Sequence, residues 1–265
     1  MKNVLLLVHD DAGEESRFQA ALDLTRALGG HLTCVDVSVP PLPVGDYYDG
    51  PAQAMLIEME YAREAANKAK LEARLAQNDV PWCWIDVTET IADAVLDAAR
   101  LADLIVVNRK LESSPHPDMR DIASRIVMHA RKPVIAVPET LKRLELGRAL
   151  IAWDGQESCA ATMRACVPML ALANEVEIFM VRDGAEKTEP TEAAEYLSRH
   201  GIHSGVRIVE DGVTPPDLLI TQEGTHWQAD YVMMGAYNHG RLVEAFGGVT
   251  KRLLTNSALP LVLGH

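Results

Sequence analysis

Two stretches of this 265-residue chain stand out as places where chemistry could sit. One is Asp154-Gly155, which follows a short apolar run at 149–153. The other runs from Gly235 to Thr250 and reads Gly-Ala-Tyr-Asn-His-Gly-Arg-Leu-Val-Glu-Ala-Phe-Gly-Gly-Val-Thr. Glycines at 235, 240, 247 and 248 let the backbone approach a ligand closely. Gly247-Gly248 opens a stretch whose pattern predicts a helix over 249–256. Free N–H groups and the positive dipole end at a helix start favour phosphate. Arg241, Lys251 and Arg252 add positive charge nearby. His239, inside the loop, is placed to touch phosphate, to act as an acid–base or to lie on the surface. The stretch lacks the Gly-Lys-Ser/Thr of a P-loop, and no Gly-x-Gly-x-x-Gly follows the first apolar run.

Catalysis finds less support than binding. Ser16 and Ser158 follow apolar runs, but neither lies in a Gly-x-Ser-x-Gly turn. Cys34, Cys83, Cys159 and Cys166 form no Cys-x-x-Cys pair and no Cys/His cluster with zinc spacing, so they read as small core residues. No catalytic residue and no metal ligand is assigned. The 25 Lys and Arg against 38 Asp and Glu leave a net charge of −13, which argues against general nucleic-acid or anionic-membrane binding. No apolar run reaches the ~18–20 residues of a membrane span. The run at 4–8 is too short and too soon acidic for a signal peptide, so the expected location is the cytoplasm.

The elements that must position these residues occur twice. The run 4–8 ends in His9-Asp10 as the run 149–153 ends in Asp154. Ala102-Asp103-Leu104-Ile105-Val106-Val107-Asn108 is echoed by Ala229-Asp230-Tyr231-Val232-Met233-Met234-Gly235, and the Pro133-led run by the Pro260-led run. The last two matches are equally spaced, so the first copy is longer in its middle. Short continuous apolar runs are predicted as strands at 4–8, 32–37, 82–87, 104–107 and 134–137, then at 149–153, 175–181, 204–209, 231–234 and 261–263. Helical stretches near 14–28, 53–77, 91–100 and 120–130 alternate with the first set. The expected fold is α/β: two repeated doubly wound, Rossmann-like domains, 1–140 and 147–265, each with a mostly parallel five-stranded sheet. In such sheets ligands bind beyond the carboxyl ends of the strands, where both stretches fall.

An Asp ending a first strand, a glycine loop after the fourth, a short helix and a Pro-led last strand resemble the universal stress protein family in its tandem form. The resemblance covers the chain once per half and implies the family's adenine nucleotide alpha hydrolase-like fold. The family's ATP-binding members carry Gly-x-x-Gly and, further on, Gly-Ser/Thr. Matched residue by residue, Asp154 takes the adenine-side position and Gly235 the first loop glycine. Asn238 stands at the second glycine, and Gly248 stands where the hydroxyl residue would be, with Thr250 two positions on. One residue fewer than the family spacing separates Asn238 from Gly247. The resemblance therefore implies an adenine nucleotide, ATP or AMP, held by Asp154, Gly155, Gly235, Asn238, His239, Gly240, Gly247, Gly248, Val249 and Thr250. It also implies an intramolecular pairing of the two domains, a possible homodimer, and a stress-response role exercised by binding. The alternatives are a scaffold with a relic loop and a slow ATPase.

After its fourth strand the first half carries Asn108-Arg109-Lys110 and no glycine up to Ala123, so its nucleotide loop is read as degenerate and Arg109 and Lys110 as surface residues. His9 reads as a packing residue and Asp10-Asp11 as an acidic helix entry. A Pro/Gly-rich insertion at 38–50 holds Tyr47 and Tyr48. Met55, Met59, Ala62 and Ala66 recur at helical spacing and are expected to face the core.

Overall fold

The computed structural model describes residues 1–38, 51–109, 119–182, 184, 186–236 and 248–265. Strands and helices alternate as the apolar runs dictate. The first half comprises β1 (Asn3–Val8), α1 (Glu14–Leu28), β2 (His31–Ser38), α2 (Pro51–Leu75), β3 (Trp82–Thr88), α3 (Ile91–Ala98), β4 (Leu104–Asn108), α4 (Met119–Ala130) and β5 (Val134–Val137). The second comprises β6 (Arg148–Ala152), α5 (Glu157–Ala165), α6 (Val167–Leu170), β7 (Glu175–Val181), α7 (Pro190–Arg199), β8 (Ser204–Val209), α8 (Pro216–His226), β9 (Tyr231–Gly235), α9 (Gly248–Asn256) and β10 (Leu261–Gly264). The insertion expected at 38–50 lies outside the described residues except for Ser38, which ends β2.

The strands form one ten-stranded sheet in the order β3-β2-β1-β4-β5-β10-β9-β6-β7-β8. Each half is parallel throughout and repeats the same order outward from the middle. One sheet per half was expected; the structure joins them through an antiparallel β5–β10 pair, with Val134 opposite Leu263 and Ala136 opposite Leu261. All four residues of β5 and of β10 are buried, and an unpaired edge of that kind would leave backbone donors unmatched in an apolar setting.

Side chains alternate across the sheet and build two cores. Val4, Leu6 and Val8 of β1 pack with Phe18 of α1 and Leu71 and Leu75 of α2, in the core that continues under α5 and α7. Leu5 and Leu7 pack with Ile91, Val95 and Ile126 on the opposite side, in the core that continues under α8 and α9. The segment joining β5 to β6 is docked rather than free. Leu144 is buried in the first core, and its N–H donates to Asp23 Oδ2 on α1 at 2.9 Å.

One expectation fails on α2. Met55 and Met59 are 64% and 60% exposed, and Ala62 and Ala66 are exposed with them. The helix instead turns Glu64, Asn67, Leu71 and Leu75 inward. Both stripes have helical spacing. The polar one wins because Glu14 on α1 meets it: Asn67 Nδ2 donates to Glu14 Oε1 at 2.6 Å.

Candidate functional site

In each half the strand order reverses between the first and fourth strands, and the carboxyl ends of these two strands form the crevice where a doubly wound sheet takes its ligand. The two crevices are built differently.

In the first half the crevice is filled by a polar cluster. Arg17 projects from α1 and is fully buried. Its Nε donates to the Leu7 carbonyl at 2.8 Å and its Nη2 to the His9 carbonyl at 2.8 Å, so it binds the end of β1 directly. The same guanidinium pairs with Asp11, Nη2 to Oδ2 at 2.9 Å and Nη1 to Oδ1 at 3.0 Å. Nη1 also donates to Asn108 Oδ1 at the end of β4, and Asn108 Nδ2 donates to Ser16 Oγ at 3.1 Å. Gly13 completes the fit, since a Cβ there would land on the Asn108 amide. A bidentate Arg–carboxylate pair in a dry site is a strong, orientation-specific contact. His9 packs alongside, its Nδ1 3.3 Å from the Val37 carbonyl, and burial lowers its pKa from the ordinary 6.5. Asp10 lies 3.4 Å from Arg63 Nε. Among the described residues, no group of three or more His, Cys, Asp or Glu is arranged to hold a metal ion.

In the second half, β9 ends in Gly235 and is followed by Ala236, which bring no polar side chain to the equivalent place. β6 and β9 are adjacent, with Ala152 opposite Met234, so Asp154-Gly155 and Gly235-Ala236 sit at the same end of the sheet. Asp154 Oδ1 accepts the Gln156 N–H at 3.0 Å, a turn that leads into α5. Gly155 has φ +68°, and a Cβ on it would stand 2.8 Å from the Thr188 carbonyl oxygen. Its own carbonyl accepts N–H groups of Lys187 (3.3 Å) and Thr188 (3.2 Å), and Trp153 Nε1 donates to the Thr188 carbonyl at 3.0 Å. The segment after β7 thus closes one side of the Asp154 turn. Nothing local in the sequence marks this contact.

Gly235 has a packing reason of its own. A Cβ there would lie 2.5 Å from Cys159 N and Ser158 Oγ, because the start of α5 is pressed against the end of β9. Burial, with the Asp154 charge nearby, pushes the Cys159 thiol up to about 12, so it serves as packing. Gly248, Val249 and Thr250 form the first turn of α9, and Thr250 is buried. The crossover from β9 through α9 to the parallel strand β10 puts this first turn at the carboxyl end of the sheet. Arg252, expected as a local positive charge, is instead committed to α8: its Nε and Nη2 each reach Asp217 Oδ1 at 2.7 Å. Asn238, His239, Gly240, Arg241 and Gly247 lie outside the described residues, as does Lys110.

The described residues are compatible with the nucleotide expected here. The first-turn amides of α9 have no intrahelical acceptors and point at the sheet's carboxyl end, where an anion is stabilised. The Asp154 carboxylate, at the end of the neighbouring strand β6, can accept hydrogen bonds from a base. Sequence reading missed Arg17 and Asn108. The local hint is an arginine on the inward face of α1, directly beside Phe18 and one turn before Ala21.

A family profile described as the universal stress protein family matches residues 1–138 of the chain. No curated protein matches it. Among solved structures, a universal stress protein from Archaeoglobus fulgidus superposes with a TM-score of 0.76 at 15% identity, over 99% of this chain and 97% of that one. A functionally unknown protein from Pseudomonas aeruginosa PAO1 superposes at 0.59 and 14% identity, over 100% of this chain and 92% of that one. At these identities the likeness is one of fold.

Proposed function

The chain belongs to the universal stress protein family, whose role is in stress response, and we propose that it acts by binding an adenine nucleotide in its second half. The observation that carries this reading is the asymmetry of the two crevices. Arg17, Asp11 and Asn108 fill the first, whereas the second ends in Asp154-Gly155 and Gly235-Ala236, with α9 starting at the same end of the sheet. In this reading the Asp154 carboxylate receives the base, and the amides of Gly248, Val249 and Thr250 receive phosphate. The role is recognition in the cytoplasm, within a chain whose halves pair as two single-domain copies would. Denaturing freshly purified protein and identifying the released small molecules tests it. About one adenine nucleotide per chain, lost in Asp154→Ala, supports the reading. A chain that releases none and binds no ATP at millimolar concentration refutes it.

Two observations favour a second reading, an interaction scaffold without nucleotide. Ser158 and Cys159 take up the space at Gly235, and Asp217 takes up the Arg252 charge. Both features are accounted for by packing alone.

A further inference from the structure

The first half sends one cation across the joint between the halves. Arg109 follows β4, and its N–H donates to the Val137 carbonyl of β5 at 3.1 Å, which anchors its backbone beside the β5–β10 seam. Its Nη1 lies 3.4 Å from the carbonyl oxygens of both Leu253 and Leu254 in the last turn of α9. The Leu253 carbonyl also accepts the Ser257 N–H at 2.8 Å, so Arg109 is a second donor there; a cation at this end of the helix also meets the negative end of its dipole. The arginine was expected on a solvated surface. Instead it is half-buried, and burial lowers its pKa from the ordinary arginine value, with Glu139 pulling the other way. Ala236, which follows β9 as Arg109 follows β4, has no charge to return to α4.

We propose that Arg109 is a positioning residue for the second half's ligand, holding the carboxyl end of α9 so that its first turn, Gly248–Thr250, is fixed for phosphate. The half whose own crevice holds Arg17 and Asn108 thereby supports the ligand site of the other. This rests on the nucleotide reading above. Binding at the first turn of α9 and the grip of Arg109 at its last turn act on one nine-residue helix, so each strengthens the other.

The test uses the full chain and its Arg109→Met and Arg109→Lys variants, with ATP and adenosine as probes. Calorimetry reads affinity, and hydrogen–deuterium exchange reads the α9 amides. Arg109→Met is expected to speed exchange across α9 and to weaken ATP about fivefold, while adenosine, which lacks phosphate, is unaffected. Arg109→Lys, which keeps the charge, should recover part of both effects. Unchanged α9 exchange in Arg109→Met, or equal weakening of ATP and adenosine, overturns the proposal. If the wild-type chain binds neither probe, the nucleotide reading itself fails and the phosphate role of Arg109 falls with it. The exchange data then report separately whether Arg109 holds the helix.

Discussion

Replacing Asp36 with asparagine should stabilise this protein at neutral pH and leave it unchanged in acid. Asp36 lies on β2, opposite Val8 of β1 and Asp86 of β3, and is 5% exposed. Its Oδ1 is buried with no hydrogen-bond partner among the described residues. Burial, reinforced by the charge of Asp86 and less by Glu14, pushes its carboxyl up to about 6 from the ordinary 3.8; Lys68 and, less, Trp84 pull the other way. Lys68 is largely engaged elsewhere, its Nζ 2.6 Å from Asp86 Oδ2. A carboxyl whose pKa is higher folded than unfolded binds its proton more tightly when folded, so its contribution to stability is full in acid and is lost as pH rises through that interval. The shift is equivalent to about 3 kcal/mol once both states are ionised. The substituted amide stays neutral throughout, so the Asp36→Asn chain should lack this loss. Equilibrium unfolding in urea, run on both chains from about pH 4 to about pH 8, measures the difference directly. The two stabilities should coincide near pH 4, separate between about pH 4 and 6, and settle about 2–3 kcal/mol apart in favour of the variant above pH 7. Glu14, also raised mainly by burial, is common to both chains and cancels. A gap that does not change with pH, or a less stable variant at neutral pH, would refute the burial argument.

Arg17→Met should cost about 3–5 kcal/mol in the same unfolding assay, because Asp11 is left in a buried site without its cation; adding Asp11→Asn should recover a large part of the loss. Gly235→Ala should lower stability by about 1–3 kcal/mol, because the new Cβ is driven into the start of α5. A Gly235→Ala chain of unchanged stability that has lost nucleotide would instead assign the glycine to the ligand.

The same local rule made most elements legible and left α2 ambiguous. A buried parallel strand is a short apolar run because both its faces are covered, so β1, β4, β5, β9 and β10 could be read from a few consecutive residues. In α2 the stripe through Met55, Met59, Ala62 and Ala66 and the stripe through Glu64, Asn67, Leu71 and Leu75 both fit the helical period. Periodicity says that a helix has a buried face. Which face it is depends on Glu14, which lies on another element and takes Asn67 as its partner.

The sequence by itself determined the repeated strand–helix order and the placement of Asp154, Gly155, Gly235 and Gly248–Thr250 at the ends of elements. These properties are carried by neighbours along the chain, and β/α connectivity sends such ends to one edge of the sheet. Only the tertiary structure decided that β5 pairs antiparallel with β10, that Arg17 closes the first crevice, and that Arg109 reaches α9. Arg17 and Asn108 are 91 residues apart, and Arg109 and Leu253 are 144 apart. An arginine, whether in a helix like Arg17 or after a strand like Arg109, reads locally as a surface residue. It becomes a buried plug or a helix cap only when distant carbonyls and carboxylates converge on it, because desolvating that charge is unfavourable until they do.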